Sequence, residues 1–73
     1  MIKKLSEMEY GTNGSVTEIK RPSREINAIG IRVGKKVRMI TKQPVKGPVV
    51  VVVGEMEVAL GFHTASDVMV EVN

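Results

Sequence analysis

Cysteine and tryptophan are absent from the 73 residues, and Tyr10 and Phe62 are the only tyrosine and phenylalanine. Without cysteine the chain has no disulfide, no thiolate ligand for zinc and no thiol nucleophile, which fits a reducing compartment. Two aromatic rings cannot line a groove for polyproline ligands or stack a run of unpaired bases. The longest apolar run, 48–53, is far shorter than the ~20 residues of a membrane-spanning helix. We therefore expect a small cytoplasmic domain that does not insert into a membrane.

Positive charge is absent from the chain after Lys46. Residues 1–46 carry all eleven Lys and Arg and four of the eight Asp and Glu, whereas residues 47–73 carry only the other four carboxylates. This asymmetry predicts a basic surface patch, with solvated charge as the plain alternative. The candidate partner-binding residues in this patch are Lys20, Arg21, Arg24, Arg32, Lys35, Lys36 and Arg38.

The strongest structural pattern is a hairpin over residues 47–61. Five consecutive valines at 49–53 favour a strand, and residues 55–60 alternate polar with apolar at period two. Between them, Gly54-Glu55 predicts a two-residue type II′ turn. The six residues then expected to form one apolar face are the pairs Val53 and Met56, Val51 and Val58, and Val49 and Leu60.

The same register places Val50 and Val52 on the opposite face, across from Ala59 and Glu57. Because an uncovered apolar strand is prone to aggregate, we expect something to cover them. One interpretation is a helix over 23–29 or a terminal segment, and the other is an interface with a partner or with a second copy of the chain. Val50 and Val52 therefore join the candidate partner-binding residues.

The rest of the chain predicts three further strands and short helices. Strands are expected over 15–20, 37–42 and 68–72, and Ser23 is expected to cap a helix over 24–29. A short helical segment falls within 61–67. Five short strands with one or two short helices indicate an all-β fold, a small antiparallel barrel.

Several single residues have expected structural roles. Ser6 is expected to cap one helical turn. Positive φ angles at turns and caps are expected at Gly11, Gly14, Gly30, Gly34 and Gly54. The expected core includes Leu5, Met8, Met39 and Met56.

Glycines and aliphatic residues recur in a particular order along nearly the whole chain. The residues concerned are Leu5, Met8, Gly11, Gly14, Val16 and Ile19, then Ile26, Ile29-Gly30-Ile31, Gly34 and Val37, then Pro44 and Gly47-Pro48-Val49, and finally Val58-Ala59-Leu60-Gly61, Ala65, Val68 and Val70. In this ordered combination the chain resembles the FeoA family of ferrous-iron-transport accessory proteins. It departs from the family at Gly61-Phe62-His63, where relatives often carry basic residues, and in its helix over 24–29, which is less leucine-rich.

The resemblance implies a single SH3-like FeoA-type domain over residues 1–73. It also implies a cytoplasmic accessory or regulatory role in ferrous iron uptake, through contact with the cytoplasmic GTP-binding region of a ferrous iron transporter. Nucleotide binding would then belong to the partner. The C-terminal SH3-like domain of iron-dependent repressors is a close relative of this family, and the resemblance could be confused with it.

We predict no catalytic, cofactor-binding or metal-binding residues. His63 has only Asp67 as a nearby donor, and Ser66 beside them on one turn does not make a nucleophilic triad. The segment from Gly30 to Gly34 lacks the spacing and the Ser or Thr of a phosphate-binding loop. Two alternatives stay open: a small basic barrel that binds nucleic acid or acts with an iron-dependent transcriptional regulator, and a metal-sensing domain.

Overall fold

The computed structural model describes residues 1–42 and 45–73, and it confirms the predicted small antiparallel β fold with two short helices. The strands are β1 (Ile2–Lys4), β2 (Asn13–Ile19), β3 (Lys36–Lys42), β4 (Val49–Val53), β5 (Met56–Leu60) and β6 (Val68–Val72). The helices are α1 (Arg24–Ala28) and α2 (Phe62–Ser66), and a 3₁₀ turn spans Leu5–Glu7. The loop predicted over 43–48 falls partly on Gln43 and Pro44, which lie outside the described residues.

All described strands belong to one antiparallel sheet in the order β1-β6-β2-β3-β4-β5. The pairing of β2 with β6 shifts between Val16 and Glu18, and that of β3 with β4 shifts between Met39 and Thr41. Such bulges bend a strand and increase its twist, which lets a small sheet wrap around its own core. One of the six strands was not predicted: β1 is only three residues long and has no apolar alternation.

The predicted β4–β5 hairpin is confirmed with its register. Val53 pairs with Met56, Val51 with Val58 and Val49 with Leu60. Gly54 has φ +64°, as the first central residue of a type II′ turn requires. Five of the six residues expected on the apolar face are buried, but Met56 is 61% exposed. The expectation that Met56 is a core residue was therefore wrong, because β5 is the last strand of the sheet and no further strand covers its first residue.

The core is aliphatic and draws on every strand except β1. Its fully buried residues of largest volume include Leu5, Met8 and Met39, all three as predicted. The whole buried apolar set is Leu5, Met8, Val16, Ile26, Ile31, Val37, Met39, Val49, Val51, Val53, Val58, Leu60, Ala65, Val68 and Val70.

Helix α1 begins where the sequence predicts. The Ile26 backbone N–H donates to Ser23 Oγ at 3.1 Å, which satisfies one of the otherwise free N–H groups of the first turn. The helix buries Ile26 and ends at Ala28, one residue before the predicted end. None of the described helices is long and apolar enough to cross a membrane.

Two further single-residue expectations were wrong. Ser6 lies inside the 3₁₀ turn rather than capping it, and its hydroxyl lies 2.9 Å from Ser66 Oγ on α2. Gly14 lies within β2 and does not have a positive φ angle. A Cβ at Gly14 would lie 2.4 Å from Val70 Cγ1 and 2.7 Å from the Glu71 carbonyl oxygen. Glycine is required there by the close approach of β6.

Candidate interaction surface

Strand β3 presents two cations on the outer face of the sheet. Its inward residues are Val37 and Met39, so Lys36 and Arg38 point outward by the alternation of a strand, and both are exposed. Lys36 pairs with Ser15 of β2, and Arg38 pairs with Asn13 of β2 and with Val52 of β4. Residues paired across a sheet share a face. Arg38 and Val52 therefore lie side by side.

A groove of about 500 Å³ lies over this part of the sheet. Gly14, Val37 and Gly54 contribute to its lining, and the larger side chains around it are those of Asn13, Ser15, Lys36, Arg38, Val52 and Asn73. The groove combines two cations, three neutral polar groups and one apolar side chain. Such a mixture suits a polar ligand with negative charge and a small apolar contact.

The candidate cations have no carboxylate partners in the part of the chain that the structure describes. The ion pairs found there join the Met1 amino group to Glu71 and Lys3 Nζ to Glu9, the latter at 3.9 Å. Neither pair involves a predicted partner-binding residue. The charges of Lys36 and Arg38 are therefore open to an incoming acidic group.

Val50 and Val52 are both half-buried on the outer face. The register places Val52 between Arg38 and Glu57, and Val50 between Thr41 and Ala59. Helix α1 does not pack extensively against β4 in residues 1–42 and 45–73, so the structure does not support this helix as the main cover of the two valines. The expectation also named a terminal segment, and Asn73 lines the same groove as Val52.

The Lys35 side chain lies beside this surface, next to the turn of the β4–β5 hairpin. Its Nζ would be 3.3 Å from a Cβ placed on Gly54, so the side chain runs along the turn. Arg32 lies in the preceding loop, where its carbonyl oxygen accepts from the Lys35 N–H at 2.9 Å. Both residues lie in the segment before β3, and neither of them lines the groove.

The other three cations lie at the opposite end of β2. The Lys20 N–H donates to the Asp67 carbonyl oxygen at 2.7 Å, beyond the pairing of Ile19 with Val68. Lys20 lies five positions after Ser15 along the strand, which corresponds to a distance of roughly 16 Å at ~3.3 Å per residue. Arg21 follows Lys20, and Arg24 opens α1. Fold topology thus divides the predicted patch into one group around α1 and another on β3.

Asn13, Ser15 and Asn73 are groove residues that the sequence analysis missed. Asn13 lies outside the strand predicted over 15–20, because Asn-Gly is typical of turns, although it is the first residue of β2. Starting the strand at Asn13 would have placed Asn13 and Ser15 on one face, beside the cations of β3.

His63, Ser66 and Asp67 do not form a reactive arrangement. Ser66 Oγ donates to the Phe62 carbonyl oxygen at 2.9 Å, inside its own helix. His63 is exposed, and its ring meets that of Phe62 edge to face with centroids 5.7 Å apart. Among residues 1–42 and 45–73, no three His, Cys, Asp or Glu side chains converge as metal ligands would.

Comparison with known proteins places this architecture in one family. The FeoA domain model matches residues 3–72, whereas no curated protein sequence gives a significant match. A crystal structure of the iron uptake regulatory protein FeoA is 29% identical over 100% of both chains, with a TM-score of 0.92.

Two further structures share the fold. The FeoA of Stenotrophomonas maltophilia, solved with zinc, is described as an SH3 domain protein and a candidate activating factor of ferrous iron transport. It is 30% identical over 94% of this chain and 89% of its own, with a TM-score of 0.79. A manganese-dependent transcriptional repressor is 22% identical, and the match covers 99% of this chain and 37% of the repressor at a TM-score of 0.87. That last likeness concerns the fold alone. The chain is an SH3-like domain that belongs to the FeoA family.

Proposed function

We propose that this chain is a non-enzymatic accessory protein of ferrous iron uptake. It acts in the cytoplasm by contact with the cytoplasmic GTP-binding region of a ferrous iron transporter. Membership of the FeoA family implies the accessory role in ferrous iron transport. The S. maltophilia relative, described as a candidate activating factor of that transport, supports a transporter as partner.

The observation that carries the contact surface is the groove on β3. Lys36 and Arg38 are exposed, and no carboxylate in the described residues pairs with them, while Val52 lies half-buried beside Arg38. Arginine at the margin of a small apolar centre is characteristic of protein interfaces. The partner segment that fits here carries Asp or Glu for the two cations and one aliphatic side chain for Val52.

The test is an amide NMR titration of the labelled protein with the isolated cytoplasmic domain of the cognate transporter, with and without guanine nucleotide. Amide shifts are expected around Asn13–Ser15, Lys36–Arg38 and Val50–Val52. The Lys36→Glu/Arg38→Glu variant should bind at least tenfold more weakly, a loss of ~1.4 kcal/mol or more. Raising the ionic strength should weaken the wild-type contact as well.

Lys20→Glu/Arg21→Glu is the matched control, because it makes the same change of charge at the other basic group. Both residues are exposed, and the control should bind within about threefold of the wild type. If instead the control loses affinity and the β3 variant keeps it, the contact lies around α1. If neither variant nor wild type binds the domain, the proposed partner contact is wrong.

Duplex DNA serves as the second ligand, since the fold is shared with a domain of a transcriptional repressor. A nucleic-acid function predicts binding to a random duplex that falls steeply with salt. We expect no saturable binding at moderate salt. Tight binding to the duplex, lost in the Lys36→Glu/Arg38→Glu variant, would replace the accessory function with a nucleic-acid function.

A further inference from the structure

Strand β5 has a neighbour on one side only. It pairs with β4 along its whole length, and it ends the sheet, whose other end is β1. No backbone hydrogen bond outside the β4 ladder involves Met56–Leu60 in the residues that the structure describes. The outer edge of β5 is thus open to another strand.

The register of the hairpin determines which backbone groups point outward. In a two-residue hairpin the residues flanking the turn, here Val53 and Met56, exchange both hydrogen bonds, and the pairs then alternate along the ladder. Glu57 faces Val52 and Ala59 faces Val50 in the intervening pairs. The N–H and C=O groups of Glu57 and Ala59 therefore point away from β4, and they offer two donors and two acceptors to an added strand.

The protection of this edge against strand addition is limited to its two exposed carboxylates, Glu55 and Glu57. Natural edge strands are blocked by charged side chains, above all lysine, or by proline, bulges or short length. The five residues of β5 include no lysine and no proline, and the β4–β5 pairing runs without a register shift. The opposite edge differs, because β1 has three residues and two of them are Lys3 and Lys4.

The side chains along the edge define what could bind. Glu57 is exposed on the outer face and Glu55 is exposed at the turn. On the other face Met56 is 61% exposed, next to the nearly buried Val58. Neither carboxylate forms an ion pair within the residues that the structure describes, although Lys35 reaches the turn and Arg38 lies one strand beyond Val52. The edge is therefore acidic on one face and apolar on the other.

We propose that the β5 edge binds an extended segment of a partner protein in which Lys or Arg alternates with aliphatic residues, as an added strand. The basic side chains of that segment would lie opposite Glu55 and Glu57, and its aliphatic side chains would extend the row of Met56 and Val58. Pairing between two copies of β5 is the weaker alternative, because it brings together Glu55 and Glu57 of both copies, and like charges repel across a sheet. This proposal stands apart from the basic groove, which fits a partner of the opposite charge.

The probe is a seven-residue peptide that alternates Lys with Val and is blocked at both ends. Titrated into the labelled full chain, it should shift the amides of Met56–Leu60 and Val49–Val53. Hydrogen exchange at the Glu57 and Ala59 amides should slow severalfold, since those N–H groups become bonded. A peptide that alternates Glu with Val should bind at least tenfold more weakly.

Two variants separate the backbone from the charge contribution. Ala59→Pro removes an N–H that has no partner in the free protein, and proline is tolerated at such edge positions. It should abolish peptide binding, whereas Ala59→Thr, which keeps the N–H, should preserve it. The double variant Glu55→Lys/Glu57→Lys should bind the Glu-Val peptide more tightly than the Lys-Val peptide. This variant keeps the test decisive if Ala59→Pro does not fold. The control Glu18→Gln, at an exposed position of β2, should leave the binding of both peptides unchanged.

Three results would overturn the proposal. One is the absence of shifts at millimolar peptide, and another is shifts confined to residues outside β4 and β5. The third is a concentration-dependent dimer, measured by analytical ultracentrifugation, that Ala59→Pro dissociates. That dimer would mean that the edge binds a second copy of this chain.

Discussion

Gly14 lies where β2 passes closest to β6, and a side chain there would overlap atoms already in place. We predict that Gly14→Ala lowers the free energy of unfolding by about 1–3 kcal/mol, the range for overpacked sites. The clash with Val70 Cγ1 can relax by a small movement of that side chain. The clash with the Glu71 carbonyl cannot, because it is backbone of the β2–β6 ladder. Urea denaturation measures the loss.

Gly61→Ser is the control for that measurement. Gly61 precedes α2 as its N-cap, and no heavy atom lies within 4 Å of a Cβ placed there. Serine is favoured at this position of a helix, so the control should be neutral or slightly more stable. Equal losses at Gly14 and Gly61 would contradict the steric explanation.

Met56 shows what strand alternation can and cannot predict for one residue. Its parity is that of the buried Val58 and Leu60, so the sequence pattern assigned it correctly to the inner face. Exposure depends also on whether the strand has a second neighbour, and β5 does not. That information lies in the strand order, which no local pattern of residues contains.

Among the elements, the 3₁₀ turn and α2 are joined by a hydrogen bond whose direction can be deduced. Ser66 Oγ uses its single hydrogen to donate to the Phe62 carbonyl. The 2.9 Å contact with Ser6 Oγ must then have Ser6 as the donor. Ser6 is 8% exposed and has few other acceptors to reach.

This direction predicts unequal effects of two alanine substitutions. Ser66→Ala leaves the buried Ser6 hydroxyl without an acceptor, and it should cost about 1–3 kcal/mol in the free energy of unfolding. Ser6→Ala leaves Ser66 bonded to Phe62, and it should cost ~1 kcal/mol or less. In a double-mutant cycle the pair should cost less than the sum of the two. Ser6→Ala proving the more costly change would contradict the assigned direction.

The elements differ in how far the sequence predicts them. The β4–β5 hairpin was predicted with its register, because five β-branched residues and a glycine turn act within the twelve neighbouring positions from Val49 to Leu60. Helix α1 was predicted from its serine cap. Strand β1 was not, since Ile2–Lys4 forms a strand only by pairing with β6, almost seventy residues later.

The division of the predicted basic patch into two groups has the same cause as the missed strand β1, namely the pairing of strands that are distant in sequence. Seven cations were grouped because they are close in sequence. In the fold, Lys20 follows the end of β2 that lies away from Ser15, whereas Lys36 of β3 pairs with Ser15. Adjacency in sequence therefore predicted the charge but not its distribution over the surface. Fold class needed only local patterns, whereas the site needed the pairing of distant strands.

Taken as a unit, the domain depends on β6 far more than on β1. Strand β6 lies between β1 and β2 and buries Val68 and Val70 completely. We predict that a chain lacking residues 68–73 is unfolded, with collapsed amide dispersion in its NMR spectrum. A chain lacking residues 1–4 should stay folded, because Leu5 and Met8 remain, and should lose roughly 1–3 kcal/mol at ~1 kcal/mol per ladder hydrogen bond. A folded spectrum for the first variant would contradict this ranking.

The position of β6 also constrains how the protein is made. Strands β2 to β5 follow one another in sequence and pair in that order, so a nascent chain can form this four-stranded sheet as it leaves the ribosome. The edge of β2 and the core beneath it stay open until Val72 emerges. At about 5–20 residues per second, the twelve positions from Leu60, where β5 ends, to Val72 take roughly 0.6–2.4 s. During that interval a valine-rich sheet is exposed, and the excess of eleven Lys and Arg over four carboxylates in residues 1–46 opposes association between incomplete chains by charge repulsion.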